Sequence, residues 1–336
     1  MPQYLPNTSL TSMSIGPRIF AYAQGYHGQL IEAQGRLNNT GEHADVYYAN
    51  GQTSIGPTTR WRDKYLIYVD DENILHDVVY KDSEWKPGTL SQYQHGDHIG
   101  VRCAPYSKLA AATVPIEGNT IICVYYQTTE KHGPVSMITF LPGNSWTELT
   151  ALLQLLASLR DPPLYGTSLS AVKPRAGICL EQRKKKGDEI TAEQSKTFPV
   201  VYLQWDTHAL AHGQGKTIRP IPGLEEFGLS PHTSLSVVDD GTNLYCFYIT
   251  NANKVEMIRI EQGQATAVID DIVSPTPRSA IAAVMPLQQR DRIILFYQVW
   301  DTGDSEKIDI KAQTFGRGKG GADDWQSMLT TDLMDG

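Results

Sequence analysis

The sequence predicts an all-β protein, a six-bladed β-propeller with about four strands per blade, and three observations carry the prediction. A short string of small and aliphatic residues recurs six times, beginning at Thr11, Thr53, Ser107, Thr167, Thr233 and Ser279 and reading TSMS, TSIG, SKLA, TSLS, TSLS and SAIA. The starts are spaced by 42 to 66 residues, room for four strands and variable loops in each unit. After each string comes a β-branched and aromatic run, such as Arg18-Ile19-Phe20-Ala21-Tyr22, Leu66-Ile67-Tyr68-Val69, Val124-Tyr125-Tyr126 and Leu295-Phe296-Tyr297.

The order within a unit follows from propeller geometry. Strands converge toward a central channel, where only Ser, Ala and Gly fit, and splay outward, where aromatics fill the space between blades. The whole chain, 1–336, is therefore expected to be one propeller domain with blades starting near 11, 53, 107, 167, 233 and 279. A doubly wound α/β sheet would need amphipathic helices between its strands. Only Glu148–Arg160 (ELTALLQLLASLR) has helical Leu spacing, ended by Asp161-Pro162-Pro163, and it predicts one short helix on the rim near 148–160.

Composition excludes several functions. A formal net charge of -8, with 20% charged and 40% hydrophobic residues, argues against a nucleic-acid partner. No run of 18 apolar residues is present, so no membrane span is expected. The amino terminus MPQYLPNTSL lacks the basic-then-apolar order of a signal peptide. Asn7 and Asn38 fit the glycosylation acceptor pattern, which is compatible with a secreted protein whose leader has been removed. His95 and His98, and likewise His208 and His212, lack a third ligand in a suitable pattern, so no metal is expected. Arg183-Lys184-Lys185-Lys186-Gly187 reads as a solvated hairpin tip. The glycine-rich run from Gly316 to Gly321 lacks the ending of a phosphate loop, and no cofactor is implied.

Three stretches, Tyr68 to Leu90 (YVDDENILHDVVYKDSEWKPGTL), Gln29 to Arg36 (QLIEAQGR) and Tyr106 to Ala112 (YSKLAAA), resemble the fungal fucose-binding lectins. In that family each sugar site lies between blades, with an Arg opening the second strand, a Glu on the third, and a Tyr and a Trp from the next blade. Arg and Glu hydrogen-bond the sugar hydroxyls while aromatic faces cover its apolar side. Carried over, the resemblance implies one complete ligand-binding set: Arg18, Glu32, Tyr80 and Trp85. In the second blade the Arg position reads Tyr65 and the Glu position Asp77. Cys123, Cys179, Cys246 and Ile294 fall at the Arg position of the remaining blades, with Thr139, Ala192, Met257 and Ile310 at the Glu position. Cysteines at equivalent places in different blades are not expected to pair.

The chain is also similar to a fungal group built on the same fold, the hetero-Diels-Alderases of tropolone sesquiterpenoid biosynthesis. That resemblance implies a cofactor-free cycloaddition between a tropolone quinone methide and humulene, in a monomer or dimer whose partners are small molecules. Such a reaction needs a shaped apolar pocket and a few hydrogen-bond donors. Candidate catalytic residues are Tyr65, Asp77 and Arg60, with Trp61 and Trp146 as further ligand contacts. The alternative is a fucose-binding lectin with a single retained site.

Overall fold

The computed structural model describes residues 9–332 except 16–17, 25–28, 38–42, 53–57, 60–63, 96–97, 117–118, 131–132, 141–145, 149–162, 173–198, 205–209, 215–216, 225–228, 262–263, 287–288, 301–307 and 319–323. Its strands form six four-stranded antiparallel sheets, each in sequential order. The chain divides into two compact units, Met1–Ile55 with Gly228–Glu261 and Ala265–Gly336, and Gly56–Phe227 with Gln262–Gln264.

The first unit holds three sheets. Sheet one is β1 (Thr11–Ile15), β2 (Arg18–Gln24), β3 (Gln29–Leu37) and β4 (His43–Gln52). In the second unit, sheet two is β5 (Thr58–Thr59), β6 (Lys64–Val69), β7 (Leu75–Lys81) and β8 (Glu84–Pro87), followed by the small ribbon β9 (Gln94–His95) and β10 (His98–Ile99). Sheet three is β11 (Ala110–Ile116), β12 (Asn119–Gln127), β13 (Val135–Phe140) and β14 (Trp146–Glu148). Sheet four is β15 (Ser170–Val172), β16 (Val200–Gln204), β17 (Leu210–Gln214) and β18 (Thr217–Pro220). Returning to the first unit, sheet five is β19 (Leu235–Asp239), β20 (Leu244–Ile249), β21 (Val255–Glu261) and β22 (Gln264–Val273). Sheet six is β23 (Ile281–Val284), β24 (Arg292–Trp300), β25 (Ile308–Arg317) and β26 (Trp325–Asp332).

Among the described residues the helical structure is the 3-10 turn Leu90–Gln92. Glu148, the first residue of the predicted rim helix, ends β14, and the rest of that segment lies outside the described residues. No helix among the described residues is long and apolar enough to cross a membrane.

One small device opens four of the sheets. A β-turn closes with Ser107 N–H donating to Ala104 O, and Thr167, Thr233 and Ser279 repeat the bond to Leu164, Ser230 and Thr276 at 2.8–3.0 Å. The third turn residue is left-handed at Gly166, His232 and Arg278, with φ of 70°, 58° and 63°. The Ser or Thr hydroxyl then accepts the backbone N–H at the end of the second strand, from Gln127, Gln204, Ile249 and Gln298, at 2.7–3.0 Å. The recurring Ser and Thr are thus small to fit the inner strand and polar to satisfy a buried amide.

The inner strands also reach each other within a unit. Ser234 and Ser236 of sheet five accept the N–H groups of Ile281 and Ala283 of sheet six at 2.9 and 2.8 Å. Gln127 of sheet three donates to Leu164 O and accepts from Gly166 N, gripping the entry turn of sheet four. Within each unit apolar cores lie between neighbouring sheets. Ile122, Val124, Tyr126 and Trp146 pack with Tyr65, Ile67 and Leu75, while Phe247, Met257, Leu295 and Phe315 fill the space between sheets five and six. Each such side chain contributes about 1.5–3 kcal/mol by leaving water.

Candidate functional site

Strand register fixes which residues occupy equivalent places. In sheets three to six the fourth residue of the small string, Ala110, Ser170, Ser236 or Ala282, pairs with Tyr125, Tyr202, Phe247 or Phe296. In sheet one Thr11 pairs with Tyr22, so Thr11 is the fourth residue of its string and the string starts three residues earlier than expected. The position two residues before that aromatic, or before Ile67 in sheet two, is the one expected from sequence at Tyr65, Cys123 and Ile294. It holds Phe20, Tyr65, Cys123, Val200, Tyr245 and Ile294, because Tyr65 pairs with Thr58, Cys123 with Ala112, Val200 with Val172, Tyr245 with Val238 and Ile294 with Val284.

Three expectations are corrected by this register. Arg18 stands two residues before the equivalent place, which is Phe20. A two-residue offset keeps the same face of the strand, so spacing alone does not expose it. Cys246 stands one residue late and points to the opposite face from Tyr245. The second strand of sheet four begins at Val200, not near Cys179, which lies outside the described residues.

On the third strand the place across from each aromatic, or from Ile67 in sheet two, holds Glu32, Asp77, Met137, His212, Met257 and Ala312. Glu32, Asp77 and Met257, assigned to one place from sequence, are equivalent in register. Thr139 instead faces Cys123, Ile310 faces Gln298, and Ala192 lies outside the described residues. Among the described cysteines, Cys103, Cys123 and Cys246 are free.

The drifted second-blade place is filled by the protein's own side chains. The Tyr65 ring lies 5.8 Å from Phe140, which stacks on Trp146 at 4.9 Å and 29°. Trp146 is 2% exposed and Tyr65 7%, so neither offers an open face. Asp77 is buried too, and its carboxylate accepts the Leu90 N–H at 2.7 Å beside the 3-10 turn. A Cβ on Gly88 would fall 2.0 Å from Asp77 Oδ2, so only glycine lets the carboxylate lie against this turn. Burial pushes the Asp77 carboxyl above its ordinary range, against the lowering effect of backbone amides and His76. The structure brings Tyr65 and Trp146 together through Phe140 and gives Asp77 a structural partner.

Sheet two presents a more open group that the sequence reading did not include in full. Lys64, Tyr80 and Trp85 are direct neighbours across three strands, Lys64 pairing with Tyr80 and Tyr80 with Trp85. The two rings meet at 5.3 Å and 60° and are half-buried. The Lys64 ammonium sits 4.4 Å from the Tyr80 centroid and 5.5 Å from that of Trp85. In sheet one, Arg18 is exposed at the start of β2 and Glu32 is 9% exposed opposite Tyr22. Arg18 and Tyr22 are four residues apart, about 13 Å along the strand, so the Arg18 side chain must reach back to share a ligand with Glu32. Arg60, Trp61, Asn7 and Asn38 lie outside the described residues. No group of three or more metal-ligating side chains occurs among the described residues.

No protein-family model matches the chain. No curated protein matches it either. Solved structures do. The fungal lectin of Aleuria aurantia, a six-bladed β-propeller with a fucose recognition mode of its own, aligns with a TM-score of 0.66 at 16% identity over 99% of this chain and 98% of that one. The SapL1 lectin in complex with α-methyl fucoside aligns with a TM-score of 0.64 at 17% identity, covering 98% and 97%. AofleA from Arthrobotrys oligospora gives 0.63 at 16% identity, covering 98% and 90%. With six four-stranded sheets in sequential order and alignment over nearly its whole length, this chain carries the six-bladed β-propeller fold of the Aleuria aurantia lectin.

Proposed function

We propose that this chain is a small-ligand-binding protein on the lectin fold, with Lys64, Tyr80 and Trp85 as its binding platform and a fucose-class sugar as its ligand. The observation that carries the reading is the half-buried Tyr80–Trp85 pair with a lysine ammonium beside it. A deoxyhexose has an apolar side that covers an aromatic ring and hydroxyls that accept from a cationic donor. Support also comes from the fold, since the SapL1 lectin with the same architecture holds α-methyl fucoside. A calorimetric titration with α-methyl fucoside tests it. Saturable heat in wild type that is lost in Trp85→Ala supports the reading, and no heat in wild type refutes it.

A second reading, the cofactor-free hetero-Diels-Alderase, is favoured by the arginine positions. Phe20, Tyr65, Cys123, Val200, Tyr245 and Ile294 turn places that would bind hydroxyls into apolar or aromatic ones, as a hydrocarbon partner such as humulene requires. In this reading the chain orients humulene and a tropolone quinone methide, and nearby donors polarise the oxygenated diene. Incubation of the protein with humulene and a quinone methide precursor decides it. A stereochemically single cycloadduct formed faster than without protein supports the enzyme, and an unchanged rate and product mixture excludes it.

A further inference from the structure

Sheet five has lost the second-strand arginine to Tyr245, yet a guanidinium reaches this place from sheet six. Arg317, the last residue of β25, ion-pairs with the Asp240 carboxylate and donates to the Tyr245 hydroxyl at 3.0 Å. Its guanidinium carbon lies 4.7 Å from the Trp325 ring centroid and 5.8 Å from that of Tyr245. The two rings meet nearly edge to face, at 5.2 Å and 80°.

The walls are fixed independently of their occupant. One Asp240 oxygen accepts the turn amides of Thr242 and Asn243, both at 2.5 Å, and the other accepts the Tyr245 hydroxyl at 3.2 Å. Arg290 adds a bond at 3.3 Å to the Asp240 carbonyl on the backbone side. Asp240, Tyr245 and Trp325 are 5%, 1% and 7% exposed. A buried carboxylate beside two aromatic rings matches a flat, delocalised cation, which pairs with the carboxylate while lying against the Trp325 ring. A neutral sugar would leave that carboxylate without its countercharge, which is costly at such a depth.

We propose that Asp240, Tyr245 and Trp325 form a receptor for a planar guanidinium, filled in cis by Arg317, and that this internal occupant closes the place between sheets five and six to external ligands. The arginine is thus a plug that has replaced a ligand-binding arginine, arriving from the opposite sheet. Emptying the receptor creates a site selective for free guanidinium-type cations over ammonium ones.

The test is chemical rescue. Arg317→Ala is melted with millimolar methylguanidinium or methylammonium beside wild type. The expected result is a lowered melting temperature in the variant and a saturable upward shift of roughly 2 °C or more with methylguanidinium, with none from methylammonium and none in wild type. Arg317→Lys should recover less than half of the lost melting temperature. A variant that melts like wild type, equal shifts from both cations, or full recovery by lysine overturns the proposal. Should Arg317→Ala not fold alone, its refolding yield with and without methylguanidinium gives the same decision, rescue supporting the receptor and failure of rescue overturning it.

Discussion

Replacing Thr167 by alanine removes the acceptor for a buried backbone N–H and tests the locking device that opens four of the sheets. Thr167 is fully buried, and its hydroxyl accepts the Gln204 amide at 2.7 Å where water does not reach. Leaving that amide without a partner costs about 1–3 kcal/mol, and the lost methyl adds about 0.8 kcal/mol. Thr167→Ser keeps the hydroxyl and forfeits only the methyl, so alanine should cost roughly two to five times as much as serine. Equilibrium urea unfolding of the two variants measures the difference directly. Ser279→Ala breaks the same bond in the other unit, to Gln298 at 3.0 Å, and the double variant should add within about 0.5 kcal/mol because the two sites share no partner. If Thr167→Ala and Thr167→Ser are equally stable, the hydroxyl is not the lock and the reasoning is refuted.

Other expectations follow from the same geometry. Burial pushes the thiols of Cys123 and Cys246 up to about 12 and that of Cys103 to about 11, so in a Cys179→Ser background none should react with a disulfide reagent at pH 8 until urea unfolds the chain; rapid native labelling contradicts this. Burial alone would raise the Asp240 carboxyl, but the amides of Asn243 and Thr242 and the Arg317 guanidinium hold it below the usual range. Its stabilising effect is therefore present above the unfolded carboxylate value and is lost as pH falls through the lower folded value. Asp240→Asn should lose much stability at pH 7 and differ little from wild type near pH 2; an equal deficit at both pH values contradicts the ion pair. Gly88→Ala forces a methyl onto the Asp77 carboxylate and should cost about 1–3 kcal/mol in urea unfolding; wild-type stability would mean that the turn yields freely.

The repeat itself was legible because the inner-strand string answers two demands at once, small size and a hydroxyl for a buried amide. Only two residues separate β11 from β12, and Cys123 lies on β12 between Ala112 and Thr139 of the neighbouring strands. After β15 the residues 173–198 lie outside the described ones, and the aliphatic run around Cys179 precedes the strand that begins at Val200. In sheet one a two-residue slip keeps every side chain on the same face, so Arg18 shares the face of Phe20, the residue equivalent in register to Cys123. The run from Gly316 to Gly321 reads as a flexible loop from sequence, yet Gly316 and Arg317 end β25. Arg317 sits on a third strand and reaches Asp240, 77 residues away, through a contact that no local spacing encodes.

The most direct test of the account is a crystal of the protein soaked with α-methyl fucoside. The account predicts sugar density at the Tyr80–Trp85 platform and none beside Tyr65 or Tyr245, whose places are filled by Phe140 and Trp146 and by Arg317. Sugar bound beside Tyr65 or Tyr245, with those side chains moved aside, would contradict it.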